Sequence, residues 1–165
     1  MLLVQGPRDT EELGMGKRYA LDDKAERLGE VRLFRHCTPK ELATLASVTD
    51  EVTLGEGRAL CRQGEVARAC YVIIEGVADV QVGTEVVATV GPGECVGEMG
   101  LIDAHPRSAA VITRTPMRLY EIDARRFDGL ISKVPSIARN LLRDLSSRIR
   151  DLDRARTTTV TTAVA

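Results

Sequence analysis

The sequence predicts a mainly β domain with helices at both ends, and three observations point to it. Between Val52 and Ile122, short β-forming runs alternate with glycine-rich turns, and no helical pattern interrupts them. A capped amphipathic helix precedes this region, and two further helical stretches follow it. Many short strands without crossover helices are typical of an antiparallel sandwich, barrel or jelly roll.

Length and composition indicate one ordinary domain. The chain has 165 residues, of which 44% are hydrophobic and 28% charged, so it can bury a core of its own. A net charge of -1 argues against a nucleic-acid partner, which would need a concentrated basic surface. No apolar run approaches the roughly 20 residues that span a bilayer, and the N-terminus lacks a secretory leader. We therefore predict a cytoplasmic chain without a membrane partner.

The cysteine and histidine pattern argues against a metal site. No C-x-x-C pair occurs, and only two histidines could join the thiols as ligands, so the spacing is poor for zinc. In a reducing compartment we expect the cysteines to be small, mostly buried hydrophobic residues. We predict no metal and no cofactor; the residues concerned are Cys37, Cys61, Cys70, Cys95, His36 and His105.

The N-terminal third is predicted to be helical. Residues 1–21 mix charge, glycine and proline, and we expect a loosely ordered segment with a helical turn around Thr10 to Leu13. From Asp22 a helical pattern begins. Thr38–Glu41 is a capping box with proline at the first helical position, and it predicts a short helix. The apolar positions of the first pattern fall on or near one face: Ala25, Leu28, Val31, Leu33 and Phe34.

Seven strands are predicted in the central region. In Val77–Val82 apolar and polar residues alternate, as they should in a half-buried strand. Glycines separate this run from the others. The predicted strands are Val52–Leu54, Ala59–Arg62, Cys70–Ile74, Val77–Val82, Glu85–Val90, Ser108–Thr113 and Arg118–Ile122.

Two helices are predicted to close the domain. Asp123 is a good N-cap for a helix over Ala124–Lys133, and Pro135 begins a longer helix with a Leu/Ile stripe that runs to about Arg156. Its arginines, Arg148 among them, alternate with aspartates, which favours a solvated face over DNA contact. We expect a disordered tail at 157–165, so that the domain covers residues 22–156.

The most unusual stretch joins two predicted strands, from Gly91 to Val111. Glycines on both sides of Glu98 allow the backbone to approach a ligand closely, and the residues from Met99 suit a single helical turn. Such a turn directs free N–H groups at whatever lies in front of it. Nine residues after Glu98 comes Arg107, whose planar guanidinium suits two oxygens of a phosphate, and Ser108 adds a hydroxyl.

These residues resemble a known family. Gly97–Leu101 followed by Arg107–Ala109 is similar to the phosphate-binding cassette of cyclic-nucleotide-binding domains, which occur in catabolite activator proteins, regulatory subunits of cAMP-dependent kinase and nucleotide-gated channels. The resemblance extends from about Leu28 to Arg156. It implies an antiparallel β-roll, which is a jelly-roll-like double-stranded β-helix, with N-terminal helices and two C-terminal helices. We call residues 97–109 the cassette.

The resemblance also implies residue roles. Glu98 is expected to accept a hydrogen bond from the ribose 2′-hydroxyl, and Arg107 to neutralise the cyclic phosphate. Ser108 and backbone N–H groups of the cassette would complete the phosphate site. A count along the last helix makes Leu152 the candidate to cap the base by apolar contact, with Asp153 beside it. The alternative is that both are ordinary residues of the apolar stripe and the helix surface. The implied ligand-binding residues are Gly97, Glu98, Met99, Gly100, Leu101, Arg107, Ser108, Ala109 and Leu152.

The expected function is a sensor or regulatory domain that binds cyclic nucleotide, cAMP before cGMP, and couples binding to movement of the C-terminal helix. A homodimer through the helix 135–156 and an unidentified effector protein are the expected partners. The alternative is a protein-interaction or dimerisation module that keeps the fold without responding to ligand. A metal enzyme with the same β architecture needs clustered His and carboxylate ligands, which the sequence lacks, and no catalytic triad is readable, so we predict no catalysis.

Overall fold

The computed structural model describes the backbone of residues 9–163 and the side chains of residues 20–151, 153 and 154. The α-helices are α1 (Asp9–Glu30), α2 (Pro39–Ser47), α3 (Met99–Ile102), α4 (Ala124–Lys133) and α5 (Pro135–Ala163), with a 3-10 helix at Arg32–Phe34. The strands are β1 (Asp50–Leu54), β2 (Ala59–Cys61), β3 (Ala69–Glu75), β4 (Ala78–Val82), β5 (Glu85–Val90), β6 (Cys95–Val96), β7 (Ala110–Thr113) and β8 (Met117–Asp123).

The strands form two four-stranded sheets, and every pairing is antiparallel. One sheet has the order β1-β8-β3-β6 and the other β2-β7-β4-β5. In the sequence, α1 and α2 precede the strands, and α4 and α5 follow them. The predicted mainly β fold with the antiparallel β-roll is therefore confirmed.

Two hydrophobic clusters hold the fold together. One fills the space between the two sheets; its buried members include Ile73, Val111 and Leu119. The other joins the helices to the outer face of the first sheet. Its largest fully buried side chains are Phe34, Leu45, Tyr120 and Ile137. Because Ile137 and Leu141 belong to this second cluster, the N-terminal half of α5 packs beside the β-roll.

The first helix is longer than the sequence indicated. We expected loose order before Asp22, whereas α1 begins at Asp9. Leu28 and Val31 anchor the C-terminal part of this segment in the core, as predicted. Extending an anchored helix adds one hydrogen bond for each residue fixed, and the glycines at 14 and 16 cost only about 1 kcal/mol each. Among the described residues, no helix is both long and apolar enough to cross a bilayer.

The last helix also exceeds its expected end. The sequence predicts an end at about Arg156 and a disordered tail at 157–165, whereas α5 continues to Ala163. The Thr, Val and Ala residues there have modest or good helix propensity, and neither glycine nor proline interrupts them. The domain limits at 22 and 156 remain predictions.

Local sequence signals worked well at the helix starts. Thr38 Oγ1 accepts from Glu41 N at 3.3 Å while Glu41 Oε2 accepts from Thr38 N at 2.6 Å, so the capping box is confirmed. Asp123 accepts from Arg126 N at 2.9 Å, as an N-cap should. All seven predicted strands are present within two residues of their expected ends. The structure adds the two-residue strand β6, which is too short to show a periodicity.

Candidate functional site

A cavity of about 310 Å³ opens between the sheets beside the cassette. Its apolar wall comes mainly from strands β4, β5, β6 and β7, and its polar wall from the cassette and α5. The lining residues are Arg32, Cys61, Val80, Ala88, Val90, Glu94, Cys95, Val96, Gly97, Glu98, Met99, Gly100, Arg107, Ser108, Ala109, Val111 and Arg148.

Arg107 is buried at this cavity and held by backbone groups. Its Nη1 donates to Gly97 O at 2.6 Å, and its Nη2 donates to Ala69 O. Its own peptide group is tied to the β2–β3 connection, because Arg107 N donates to Glu65 O and Gly64 N donates to Arg107 O, both at 2.8 Å. These two side-chain bonds use two of the five N–H donors of a guanidinium. The side chain is therefore fixed in place while donors remain for a ligand.

Two cassette glycines are required by close approach. Gly97 has a φ of +86°, and a Cβ there would collide with the guanidinium of Arg107. At Gly100 a Cβ would lie 2.7 Å from Ala67 Cβ and 3.0 Å from His105 O. Any larger residue would push the cassette away from the β2–β3 connection. The glycines thus let the cassette fold tightly around Arg107.

Glu98 is a buried carboxylate at the same cavity. It is 3% exposed, and its Oε1 lies 3.0 Å from Arg148 Nη1 on α5. The direction of this contact does not make a hydrogen bond, so Oε1 has no hydrogen-bond donor among the residues that the structure describes. A buried acceptor without a donor is costly. Arg148 supplies charge to this oxygen, and a ligand hydroxyl could supply the missing donor.

The helical turn after Glu98 forms as predicted. Leu101 N and Ile102 N both donate to Glu98 O at 3.1 Å. The N–H groups of Met99 and Gly100 precede these first bonds of α3, so the turn leaves them available at the cavity. The following loop holds Ala104 at a φ of +56°, a left-handed conformation that is uncommon outside glycine.

Most of the predicted ligand-binding residues lie together at the cavity. Leu101 is the exception, because it packs against the helical core and does not line the cavity. It lies on the inner side of the one-turn helix α3, where a leucine gains more from burial in the core than from the polar cassette. The side chain of Leu152 lies outside the described residues. The members of the set that line the cavity are Gly97, Glu98, Met99, Gly100, Arg107, Ser108 and Ala109.

The role of Arg148 at the cavity is not predicted from the sequence. Its side chain is 42% exposed, in keeping with the predicted solvated face, but it also contacts Glu98 and Asp144 and lines the cavity. Asn140, Asp144 and Arg148 follow each other at four-residue spacing and form a polar stripe beside the apolar one. A stripe of this kind looks the same in sequence whether it faces solvent or a buried charge, so a contact between Arg148 and Glu98 cannot be predicted from the pattern.

The two thiols that line the cavity are neutral. A hydrogen bond with the Cys70 thiol and burial raise the pKa of Cys95 well above its usual value, and burial raises the pKa of Cys61. The charged lining residues are then three arginines (Arg32, Arg107, Arg148) and two glutamates (Glu94, Glu98). Arg32 and Arg148 form ion pairs with Asp144 and Glu98, so Arg107 is the lining arginine without an acidic partner among the residues that the structure describes. A monoanionic ligand of mixed polarity would balance this charge.

Comparison with known proteins assigns the family. The family model for the cyclic nucleotide-binding domain matches residues 51–134. The chain is 34% identical over 108 residues, 66% of its length, to a cyclic nucleotide-gated potassium channel of Mesorhizobium japonicum, of which it covers 30%. It is 29% identical over 126 residues, 73% of its length, to the cyclic AMP receptor protein of Thermus thermophilus, of which it covers 58%.

A solved structure shows the same fold. The regulatory domain of Toxoplasma gondii PKA with cAMP superposes with a TM-score of 0.71 at 22% identity, covering 81% of this chain and 52% of that one. The chain spans between about a third and three fifths of the length of the curated relatives described above. The family model covers half of the chain and includes both Glu98 and Arg107. The chain belongs to the cyclic nucleotide-binding domain family.

Proposed function

We propose that this domain is a sensor that binds a 3′,5′-cyclic nucleotide, cAMP in preference to cGMP, in the cavity beside the cassette. The observation that carries the proposal is that two groups lie in one cavity: the Arg107 guanidinium, held by backbone carbonyls, and the buried Glu98 Oε1, which has no hydrogen-bond donor among the described residues. Its volume of about 310 Å³ is at the small end for ligand sites and suits a mononucleotide.

The phosphate would lie against Arg107. This side chain keeps donors free on a guanidinium that Gly97 O and Ala69 O already orient. Little side-chain entropy is therefore lost when the ligand binds. The N–H groups of Met99 and Gly100 and the Ser108 hydroxyl add further donors on the same side of the cavity. The charge of Arg107, which has no acidic partner among the described residues, matches a cyclic phosphodiester, which carries one negative charge.

The sugar would lie against Glu98. The 2′-hydroxyl of ribose is a donor, and Oε1 of Glu98 is an acceptor without one. The base would then face the apolar wall, where Val80, Val90 and Val111 offer contacts to a flat ring. Leu152 is expected to cover the base from α5. Guanine has more hydrogen-bonding groups than adenine, and an apolar wall would leave more of them without a partner. This supports cAMP over cGMP.

Binding is expected to move α5. The helix reaches the cavity through Arg148, so a ligand that changes the surroundings of Glu98 also changes a contact of α5. Allosteric coupling of this kind usually amounts to 1–3 kcal/mol. The output would pass to a second copy of the chain or to an effector protein. The four free cysteines fit a cytoplasmic setting.

Calorimetric titration of the wild type and Arg107→Ala with cAMP, cGMP and 5′-AMP tests the proposal. Hydrogen bonds to a charged group contribute about 1.5–3 kcal/mol, so Arg107→Ala should weaken cAMP binding about 10- to 100-fold. Arg114→Ala, at an arginine whose side chain is 61% exposed, is the matched control and should bind as the wild type does. The open-chain 5′-AMP should bind poorly.

Absence of heat and of any melting shift with both cyclic nucleotides would favour the alternative, a protein-interaction module that keeps the fold without responding to ligand. Equal losses of cAMP affinity in Arg107→Ala and Arg114→Ala would show that the overall positive charge of the protein, and not the cassette, attracts the nucleotide.

A further inference from the structure

Four charged side chains form a continuous chain from the 3-10 helix to the cassette. Arg32 Nη2 lies 2.6 Å from Asp144 Oδ1, Asp144 Oδ2 lies 2.9 Å from Arg148 Nη2, and Arg148 Nη1 lies 3.0 Å from Glu98 Oε1. The charges alternate, so each inner member has an opposite charge on both sides. The two acidic members are largely buried: their side chains are 13% exposed at Asp144 and 4% at Glu98.

We propose that Asp144 is a positioning residue for the sugar site, because it holds the Arg148 guanidinium so that Glu98 stays free to accept a hydroxyl. This inference rests on the proposed function. Asp144 engages one nitrogen of Arg148 and leaves only the other near Glu98, where its direction makes no hydrogen bond. Glu98 thus has a neutralising charge nearby and an acceptor that is still available.

Asp144 is itself held from a second direction. Arg32 contacts its other oxygen, and the Arg32 N–H donates to Gly93 O, in the turn that leads to β6 and the cassette. One turn earlier on α5, Asn140 Nδ2 donates to Leu33 O at 3.0 Å. These bonds fix the α5 backbone against the 3-10 helix, so the position of Asp144 does not depend on Arg148.

Removal of the Asp144 charge should let Arg148 turn fully toward Glu98. Without a competing carboxylate, the guanidinium can form the two-pronged arrangement that arginine favours with a carboxylate. A ribose hydroxyl would then have to displace this stronger pair. A ligand without the 2′-hydroxyl does not have to displace the pair, so its affinity should be almost unchanged. Asp144 would therefore set the preference for ribose over deoxyribose.

The test compares cAMP with 2′-deoxy-cAMP in Asp144→Asn. The wild type should prefer cAMP about tenfold or more, and Asp144→Asn should bring this ratio to about threefold or less, while 2′-deoxy-cAMP binding stays within about twofold. Asp151→Asn, which removes an exposed acid from the same helix, should keep the wild-type ratio. Equal weakening of both ligands, or an unchanged ratio, would overturn the proposal.

A measurement without ligand separates this proposal from the proposed function. Thermal unfolding measures the change in the free energy of unfolding for Glu98→Gln, for Asp144→Asn and for the double variant. These changes should be non-additive, and the non-additivity should disappear when Arg148→Met is present in every protein of the cycle. If the wild type binds neither nucleotide, the proposed function fails, and this cycle alone decides whether Asp144 positions Arg148. Additive changes in the free energy of unfolding in the protein that retains Arg148 would contradict this positioning role.

Discussion

Gly97 brings the backbone of the cassette directly onto the Arg107 guanidinium. Its carbonyl accepts from Arg107 Nη1 at 2.6 Å, and its φ of +86° belongs to the left-handed region. A Cβ at this position would meet the Arg107 guanidinium, which its hydrogen bonds to Gly97 O and Ala69 O hold in place. The residue therefore helps to set the direction of the Arg107 guanidinium, the group proposed to bind phosphate, although it has no side chain to contact a ligand.

Gly97→Ala should consequently lose ligand affinity as well as stability. The left-handed conformation costs about 1–2 kcal/mol for a residue with a Cβ, and displacement of Arg107 should add at least a tenfold loss in cAMP affinity. Calorimetry and thermal melting measure both effects.

Gly57→Ala is the matched control. Gly57 has a φ of +72°, but a Cβ there meets nothing within 4 Å, so this variant should lose stability and keep its affinity. If both variants bound cAMP equally well, the close approach of Gly97 to Arg107 would have no role in binding.

Among the elements, α2 shows how a local sequence signal also sets a pH response. Glu41 accepts the Thr38 N–H in the capping box, and this hydrogen bond holds the pKa of Glu41 below its ordinary value. Because the folded pKa is the lower one, the stabilisation is full above the unfolded pKa, near 4.5, and is lost as the pH falls through the folded pKa.

Glu41→Gln should therefore be less stable than the wild type at neutral pH, and the difference should shrink in acid. Protonated Glu41 resembles glutamine, so the two proteins should converge once the wild type is protonated. Urea unfolding at pH 7 and at pH 3 measures this, with Glu85→Gln at the exposed start of β5 as control. A difference of equal size at both pH values would show that the carboxylate charge is irrelevant to the cap.

The elements were predictable where their signal is local. The capping box at Thr38 and the N-cap at Asp123 are each contained in a few neighbouring residues, and both formed as expected. The alternation in Val77–Val82 correctly predicted the strand β4, although Val82 at its end is exposed. Helix ends were less predictable, because α1 and α5 extend through segments that carry no stop signal. The short β6 depends on pairing with β3, which only the folded chain supplies.

The site was predictable only on the cassette side. Gly97, Glu98 and Arg107 follow one another closely in the sequence, and a family resemblance marks them. Arg148 and Asp144 reach the cavity because α5 packs back onto the β-roll. This is a long-range consequence of core packing, which no local pattern encodes. The position of Leu101 in the core is another case, since the residues before it, from Gly97 to Gly100, line the cavity.

For the whole molecule, α5 offers a surface for a second copy of the chain. Leu142 and Ile149 are 66% and 59% exposed and lie seven residues apart, hence on one side of the helix. We expect the homodimer predicted for the helix 135–156 to bury them. Light scattering should then report a dimer for the wild type and a monomer for Leu142→Glu with Ile149→Glu.

Val66→Glu is the control for this prediction. Val66 is a 73% exposed apolar residue on the β2–β3 connection, away from α5, and its substitution should leave the dimer intact. A wild-type monomer with and without cAMP would exclude the dimer. The proposed ligand site is lined by residues of one chain, so the proposal for that site would stand.

A crystal structure of the domain with cAMP is the most direct measurement of the central claim, that one cavity binds the phosphate through Arg107 and the ribose through Glu98. We expect the cyclic phosphate within hydrogen-bond distance of the Arg107 guanidinium and the 2′-hydroxyl donating to Glu98 Oε1, with the base against the apolar wall. Density for cAMP at another surface, or none between the sheets at saturating ligand, would contradict it.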